Sequence, residues 1–272
     1  MSTTLDRDHL NLESSPPLRL DIRERTAILP IVYLVAVALA ELITGLVDPV
    51  GGLVTHTFIL AALIIHSSLS SPRQESKLYL SLALVPLLRI ISLSLPLAEF
   101  SEIYWWLIIA VPVLAGAFLV IGTLNYNRTD ISLVAGGIIA QPLIGATGVV
   151  FGLLEYLALR PEPELIDTLT WGNVLLPAIV LLIATGFTEE LVFRGIIQHS
   201  SVTVFGQRGL LYVALVFALI QISSLSVPGI AIAFVAGAFY CWAVKETRSL
   251  LGVVLSHGIA NIFFYLIAPL IF

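Results

Sequence analysis

The chain has 272 residues, of which 58% are hydrophobic and only 11% charged, with a mean hydropathy of +1.01. That composition excludes an ordinary soluble domain and indicates an all-α polytopic membrane protein, a helical bundle in lipid. The net charge of -5 is distributed by topology, and the single cysteine, Cys241, excludes both an internal disulfide and a cysteine-rich metal site.

Residues 1–26 are polar, mixed in charge and contain Pro16-Pro17, which reads as a flexible cytoplasmic tail with no signal peptide ahead of the first span. Apolar stretches follow at about 27–47, 53–70, 78–98, 104–124, 132–158, 173–198, 209–226, 228–246 and 249–271. The second and seventh are short, so eight or nine transmembrane helices fit. Turn residues separate them, as in Asp48-Pro49-Val50-Gly51-Gly52, Ser71-Pro72-Arg73 and Val227-Pro228-Gly229.

Basic residues set the expected orientation. The tail holds Arg7, Arg19, Arg23 and Arg25, and alternate connections hold Arg73 and Lys77, Arg128, Arg208, and Lys245 with Arg248. The intervening connections carry Asp48, Glu99, Glu102 and the group Glu162, Glu164 and Asp167, with Arg160 as their only base. The positive-inside rule then puts the N-terminus in the cytoplasm of a multi-pass protein of the cell membrane. No internal repeat of the kind that builds many secondary transporters is visible.

Two charges fall mid-span in the N-terminal half, Glu41 and Arg89, and mutual pairing is the economical arrangement for them. His56 and His66 lie ten residues apart and do not share a face. Glu155 lies near the outer end of the fifth span, within reach of water. Tyr104, Trp105, Trp106 and Trp171 fit an outer interfacial aromatic belt.

The densest charge inside an apolar stretch is Glu189-Glu190-Leu191-Val192-Phe193-Arg194 in the sixth span. Glu190 and Arg194 are spaced i,i+4 and so can pair on one face, whereas Glu189 lies about 100° away around the helix. Phe217 and Gln221 repeat the i,i+4 spacing on the seventh span, as do His257 and Asn261 on the ninth. Counted at ~1.5 Å per residue from the cytoplasmic helix ends, Glu189, Gln221, His257 and Asn261 share a level roughly 12–18 Å deep. Polar groups converging at one depth from three helices are what a buried hydrolytic site requires.

This order of motifs, Glu-Glu-x-x-x-Arg, then Phe with a polar residue four positions on, then His-x-x-x-Asn, resembles the CAAX protease and bacteriocin-processing (CPBP, or Abi) membrane proteins, which are similar to type II CAAX prenyl endopeptidases. Gly195 after Arg194, and Ser249-Leu250-Leu251 before His257, also fit. The resemblance covers about residues 170–270, and divides the chain into the tail 1–26, N-terminal membrane helices over 27–168 and a core over 169–272. It implies an intramembrane endopeptidase in which Glu189 activates water, Glu190 and Arg194 support it, and His257 with Asn261 stabilises the oxyanion. The family usually has histidine where Gln221 stands, and a carboxamide does not take up a proton at physiological pH. Weakened catalysis, or a non-catalytic scaffold of the same family, follows as the alternative.

No cofactor is expected. A divalent metal such as zinc is the lesser alternative, because the motif set retains one imidazole and a stable zinc site usually wants three good protein ligands. The expected partners are the lipid bilayer and a peptide or membrane-protein substrate cut near the cytoplasmic leaflet, with no nucleic acid.

Overall fold

The computed structural model describes residues 22–95, 100–160 and 165–272. Most of the expected tail, and Glu99, Glu162 and Glu164, lie outside the described residues. The chain forms helices α1 Ile22–Leu46, α2 Pro49–Ser70, α3 Gln74–Ser94, α4 Glu102–Leu124, α5 Ala140–Leu159, α6 Trp171–Phe205, α7 Arg208–Leu219, α8 Val227–Thr247 and α9 Leu251–Leu270. Eight are long and apolar enough to cross a membrane, and α7 is the short one. Among the described residues there is no strand, so the all-α polytopic reading holds.

Several boundaries move from their expected positions, each for a local reason. The segment 48–52 reads as a turn but begins α2: Asp48 caps it by accepting from the Gly51 amide at 2.8 Å, and Pro49 takes the first-turn position where no N–H is needed. The expected span at 132–158 starts only at Ala140, because Ser132 and Gly136 adopt positive φ and break the chain ahead of it. In α3 the helix is interrupted at Ala83, where the ring of Pro86 crowds the Leu82 carbonyl one turn back. Gln221 is not on a helix: α7 ends at Leu219, and Gln221 opens the turn that leads through Ile222–Ser224 to α8.

α6 is the central element. Leu191, Val192, Phe193, Ile196 and Ile197 are all fully buried, so this stretch is packed on every side, whereas Leu175, Leu176, Ile179 and Ile183 nearer its start are exposed. Two π-helical stretches, Leu181–Phe187 and Leu191–Ile197, flank the short α-helical turn Thr188–Glu190. Wide turns of this kind shift the side-chain register and cluster at functional sites. At Gly186, α6 comes so close to Gly258 of α9 that a Cβ would meet the Gly258 nitrogen at 3.0 Å. α5 approaches α9 through Gly148 and Gly152, where a Cβ would strike the carbonyl oxygens of Ser256 and Ala260. Small residues are how helices gain contact in lipid, where no hydrophobic drive separates helix from solvent. α5, α6 and α9 are thereby drawn together around one axis.

The connections sort the two ends of the bundle. One end gathers Arg73, Arg128, Arg208, Lys245 and Arg248; the other gathers Asp48, Glu102 and Asp167.

Candidate active site

Glu190, fully buried at mid-helix, is the centre of a short polar chain. Arg194 Nη1 donates to its Oε1 at 3.0 Å, and His257 Nδ1 lies 2.7 Å from the same oxygen. A carboxylate only accepts, so Nδ1 carries the proton and Nε2 is left facing Glu189, whose Oε2 is 3.9 Å away. The Arg194 guanidinium is held over aromatic faces, 4.2 Å from the Phe217 centroid and 5.3 Å from that of Tyr240. Phe217 also meets His257 edge-on at 6.0 Å, and Tyr240 stacks on it at 6.1 Å. The imidazole is therefore fixed on three sides.

Glu189 points the other way, into a cavity of about 130 Å³ that Gln221, His257 and Asn261 also line. At ~30 Å³ per water that space admits about four waters. Asn261 Nδ2 donates to Thr185 Oγ1 at 2.7 Å, and Thr185 in turn donates to the Leu181 carbonyl at 2.5 Å, within the first π-helical stretch. The second amide hydrogen of Asn261 stays available to the cavity. All six sequence-predicted residues thus lie in one neighbourhood: Glu189, Gln221, His257 and Asn261 on the cavity, Glu190 and Arg194 behind it.

The depth expected from the sequence needs correction. α6 continues to Phe205 and Gln221 lies two residues beyond α7, so Glu189 is sixteen residues, about 24 Å, and Gln221 thirteen, about 20 Å, from the basic ends, against ten, about 15 Å, for Asn261 and six, about 9 Å, for His257. The cavity reaches from mid-depth toward the acidic end, where Trp106, Glu155 and Tyr265 also line it. It lies away from the basic end of the bundle.

Sequence reasoning missed several of its walls. Trp106, which the sequence places in an outer interfacial belt, also packs on Tyr265 at 5.1 Å and lines the cavity. Tyr240 hydrogen-bonds Ser256 at 3.0 Å, which reaches Thr147 at 2.8 Å. The readable signal for Glu155 was its spacing: Gly145, Gly148, Gly152 and Glu155 fall on one face of α5, so the carboxylate follows the glycines inward.

A second buried charge cluster joins the N-terminal helices. Arg89 donates to both Glu41 oxygens at 2.5 and 2.9 Å, His56 Nε2 lies 3.1 Å from Glu41, and Arg89 also reaches Ser223 Oγ at 3.1 Å. His66 lies apart, 2.6 Å from the Tyr33 hydroxyl. At the basic end a larger cavity of about 570 Å³ lies among Asp130, His199, Lys245 and Arg248. Cys241 is buried, and its carbonyl accepts from Gln198 at 3.1 Å.

Among the described residues no group of three or more His, Cys, Asp or Glu side chains is arranged to hold a metal ion. Near the cavity, Glu190 Oε1 and His257 Nδ1 are already committed to each other, leaving Glu155, Glu189 and His257 Nε2 as donors.

Residues 171–263, from the start of α6 to Phe263 of α9, match the family model described as type II CAAX prenyl endopeptidase Rce1-like. The match supports the CPBP/CAAX protease family. No curated protein and no solved structure matches the chain.

Proposed function

We propose that this multi-pass membrane protein, whose residues 171–263 match the type II CAAX prenyl endopeptidase Rce1-like family model, is an intramembrane endopeptidase whose water nucleophile is activated by Glu189. The observation that carries the reading is the common cavity: the Glu189 carboxylate, one imidazole and two carboxamides converge from two helices and a turn on a space of a few waters. Glu189 accepts the proton of the attacking water, and Gln221 orients that water without taking its proton. His257, held through Nδ1 by Glu190, presents Nε2 to the developing oxyanion and donates there as the imidazolium, with Asn261 beside it. Glu190 and Arg194 act from behind as positioning residues. The mechanism proposed is metal-free: His257 is the one imidazole on the cavity, its Nδ1 is engaged by Glu190, and a stable zinc site usually wants three good protein ligands.

The orientation enters the same proposal. With the basic connections in the cytoplasm of the cell, cleavage takes place between mid-membrane and the outer leaflet, on a peptide or membrane-protein segment that reaches the chamber from that side.

Purified protein in detergent or nanodiscs, offered a peptide library, tests this directly. Glu189→Gln is expected to lower kcat by about 10²–10⁴, and Gln221→His to raise it. Cleavage indifferent to Glu189 would sink the mechanism, and cleavage abolished by a chelator and restored by zinc would replace it with a metal-dependent one. Gln221 supports one second reading, a non-catalytic scaffold, which would bind peptides yet leave them intact in wild type and in Gln221→His alike.

A further inference from the structure

Glu155 is a carboxyl on the chamber wall that the mechanism above does not use. It belongs to the span Ala140–Leu159, one turn beyond Gly152 on the face that packs against α9, and it lines the cavity together with Glu189. Among the described residues it has neither a hydrogen-bond nor an ion-pair partner. An ionisable group within a span is costly and is seldom kept without a task. The chamber also lacks a proton carrier at the place where Gln221 stands.

With Glu189 and Glu190 as carboxylates and Arg194 and His257 as cations, a protonated Glu155 keeps the set neutral. Two carboxyls in one site, one ionised and one protonated, form the acid–base division that hydrolysis of a peptide bond requires. Resting on the peptidase reading of this chamber, we propose that Glu155 is a catalytic acid that does the work of the missing histidine. Glu189 takes a proton from water as the water oxygen bonds to the scissile carbonyl carbon and the carbonyl electron pair moves onto oxygen. The C–N bond then breaks as Glu155 gives its proton to the departing nitrogen. Products are a carboxylic acid and an amine. Glu189 is left protonated and Glu155 ionised, and transfer of that proton through the chamber water restores the starting state.

The test is a set of four proteins assayed on one cleaved peptide: wild type, Glu155→Gln, Gln221→His and the double variant, each checked for a cooperative thermal transition. Glu155→Gln is expected to lower kcat by about 10²–10⁴ with little change in KM, and to remove the alkaline limb of the kcat–pH profile. Adding Gln221→His to it is expected to return most of the rate. Wild-type turnover by Glu155→Gln, in a protein where Glu189→Gln is inactive, would overturn the role of Glu155 and leave the peptidase standing. A folded Glu155→Gln protein that is slow and not rescued by histidine would mark Glu155 as structural and equally overturn it. Absence of cleavage by wild type and Gln221→His together would instead remove the peptidase reading.

Discussion

At the scale of single residues, Glu190 is the group on which the site's geometry depends. One of its oxygens is shared between the Arg194 guanidinium and the His257 imidazole, and all of its side chain is out of solvent. Replacing it with glutamine removes the acceptor charge and leaves Arg194 buried without a counter-ion. Breaking a buried pair in this one-sided way costs about 3–5 kcal/mol, whereas removing both members together costs far less. Glu190→Gln should therefore unfold at a clearly lower temperature in detergent than wild type, and Glu190→Gln with Arg194→Met should recover much of the loss. A double variant no more stable than the single one would show that the guanidinium is held by Phe217 and Tyr240 alone. Arg194 and Glu190 were legible in the sequence because an i,i+4 pair needs no knowledge of tertiary structure. Their link to His257 was not, because it depends on how closely α6 and α9 approach.

That approach is set by glycines, and so belongs to the scale of elements. α5 and α6 both meet α9 where side chains are absent, at Gly148, Gly152 and Gly186, and the backbone contacts that result put Glu155, Glu189 and His257 around one chamber. A side chain at Gly152 has the Ala260 carbonyl in its way, so Gly152→Val must push α5 off α9. Overpacking of this kind costs about 1–3 kcal/mol, and here it also widens the chamber. The expected result is a lower melting temperature and a large loss of peptide cleavage, against little change in Val149→Leu, whose side chain is exposed on the outer surface of the same helix. Equal behaviour of the two variants would mean that α5 is not held at Gly152. The span count was readable from hydropathy because a bilayer demands about 20 apolar residues per crossing. The helix ends were less so, since Asp48-Pro49 serves as a cap and first turn with the same residues that make a loop. The inward aim of Glu155 was in the sequence as a continuation of the glycine face, but its target on another helix was not.

For the molecule as a whole, the question is whether the N-terminal helices, which the family match does not reach, are a passive annulus or a part of the site. The contact that decides it is Arg89 on Ser223, because Ser223 belongs to the turn that Gln221 opens. Arg89 is itself anchored by two bonds to Glu41, which lies 3.1 Å from His56 Nε2, so α1 and α3 together hold the turn that follows α7, with α2 packed beside them. The close approach of α1 to that turn at Gly45, where a Cβ would lie 2.8 Å from the Ser223 carbonyl, ties the same point from the backbone side. Removing Arg89 alone, as in Arg89→Gln, leaves Glu41 buried and half-compensated, and is expected to destabilise the protein by about 3–5 kcal/mol. The double variant Glu41→Gln with Arg89→Gln should regain much of that stability while still lacking the guanidinium on Ser223. Its turn should therefore remain loose, seen as faster thiol labelling of a cysteine placed at Ser224 and a raised KM for peptide. Stability restored with labelling and KM both at wild-type values would show the N-terminal cluster to be structural only. Stability restored with the turn still open would make the N-terminal half a working part of the chamber.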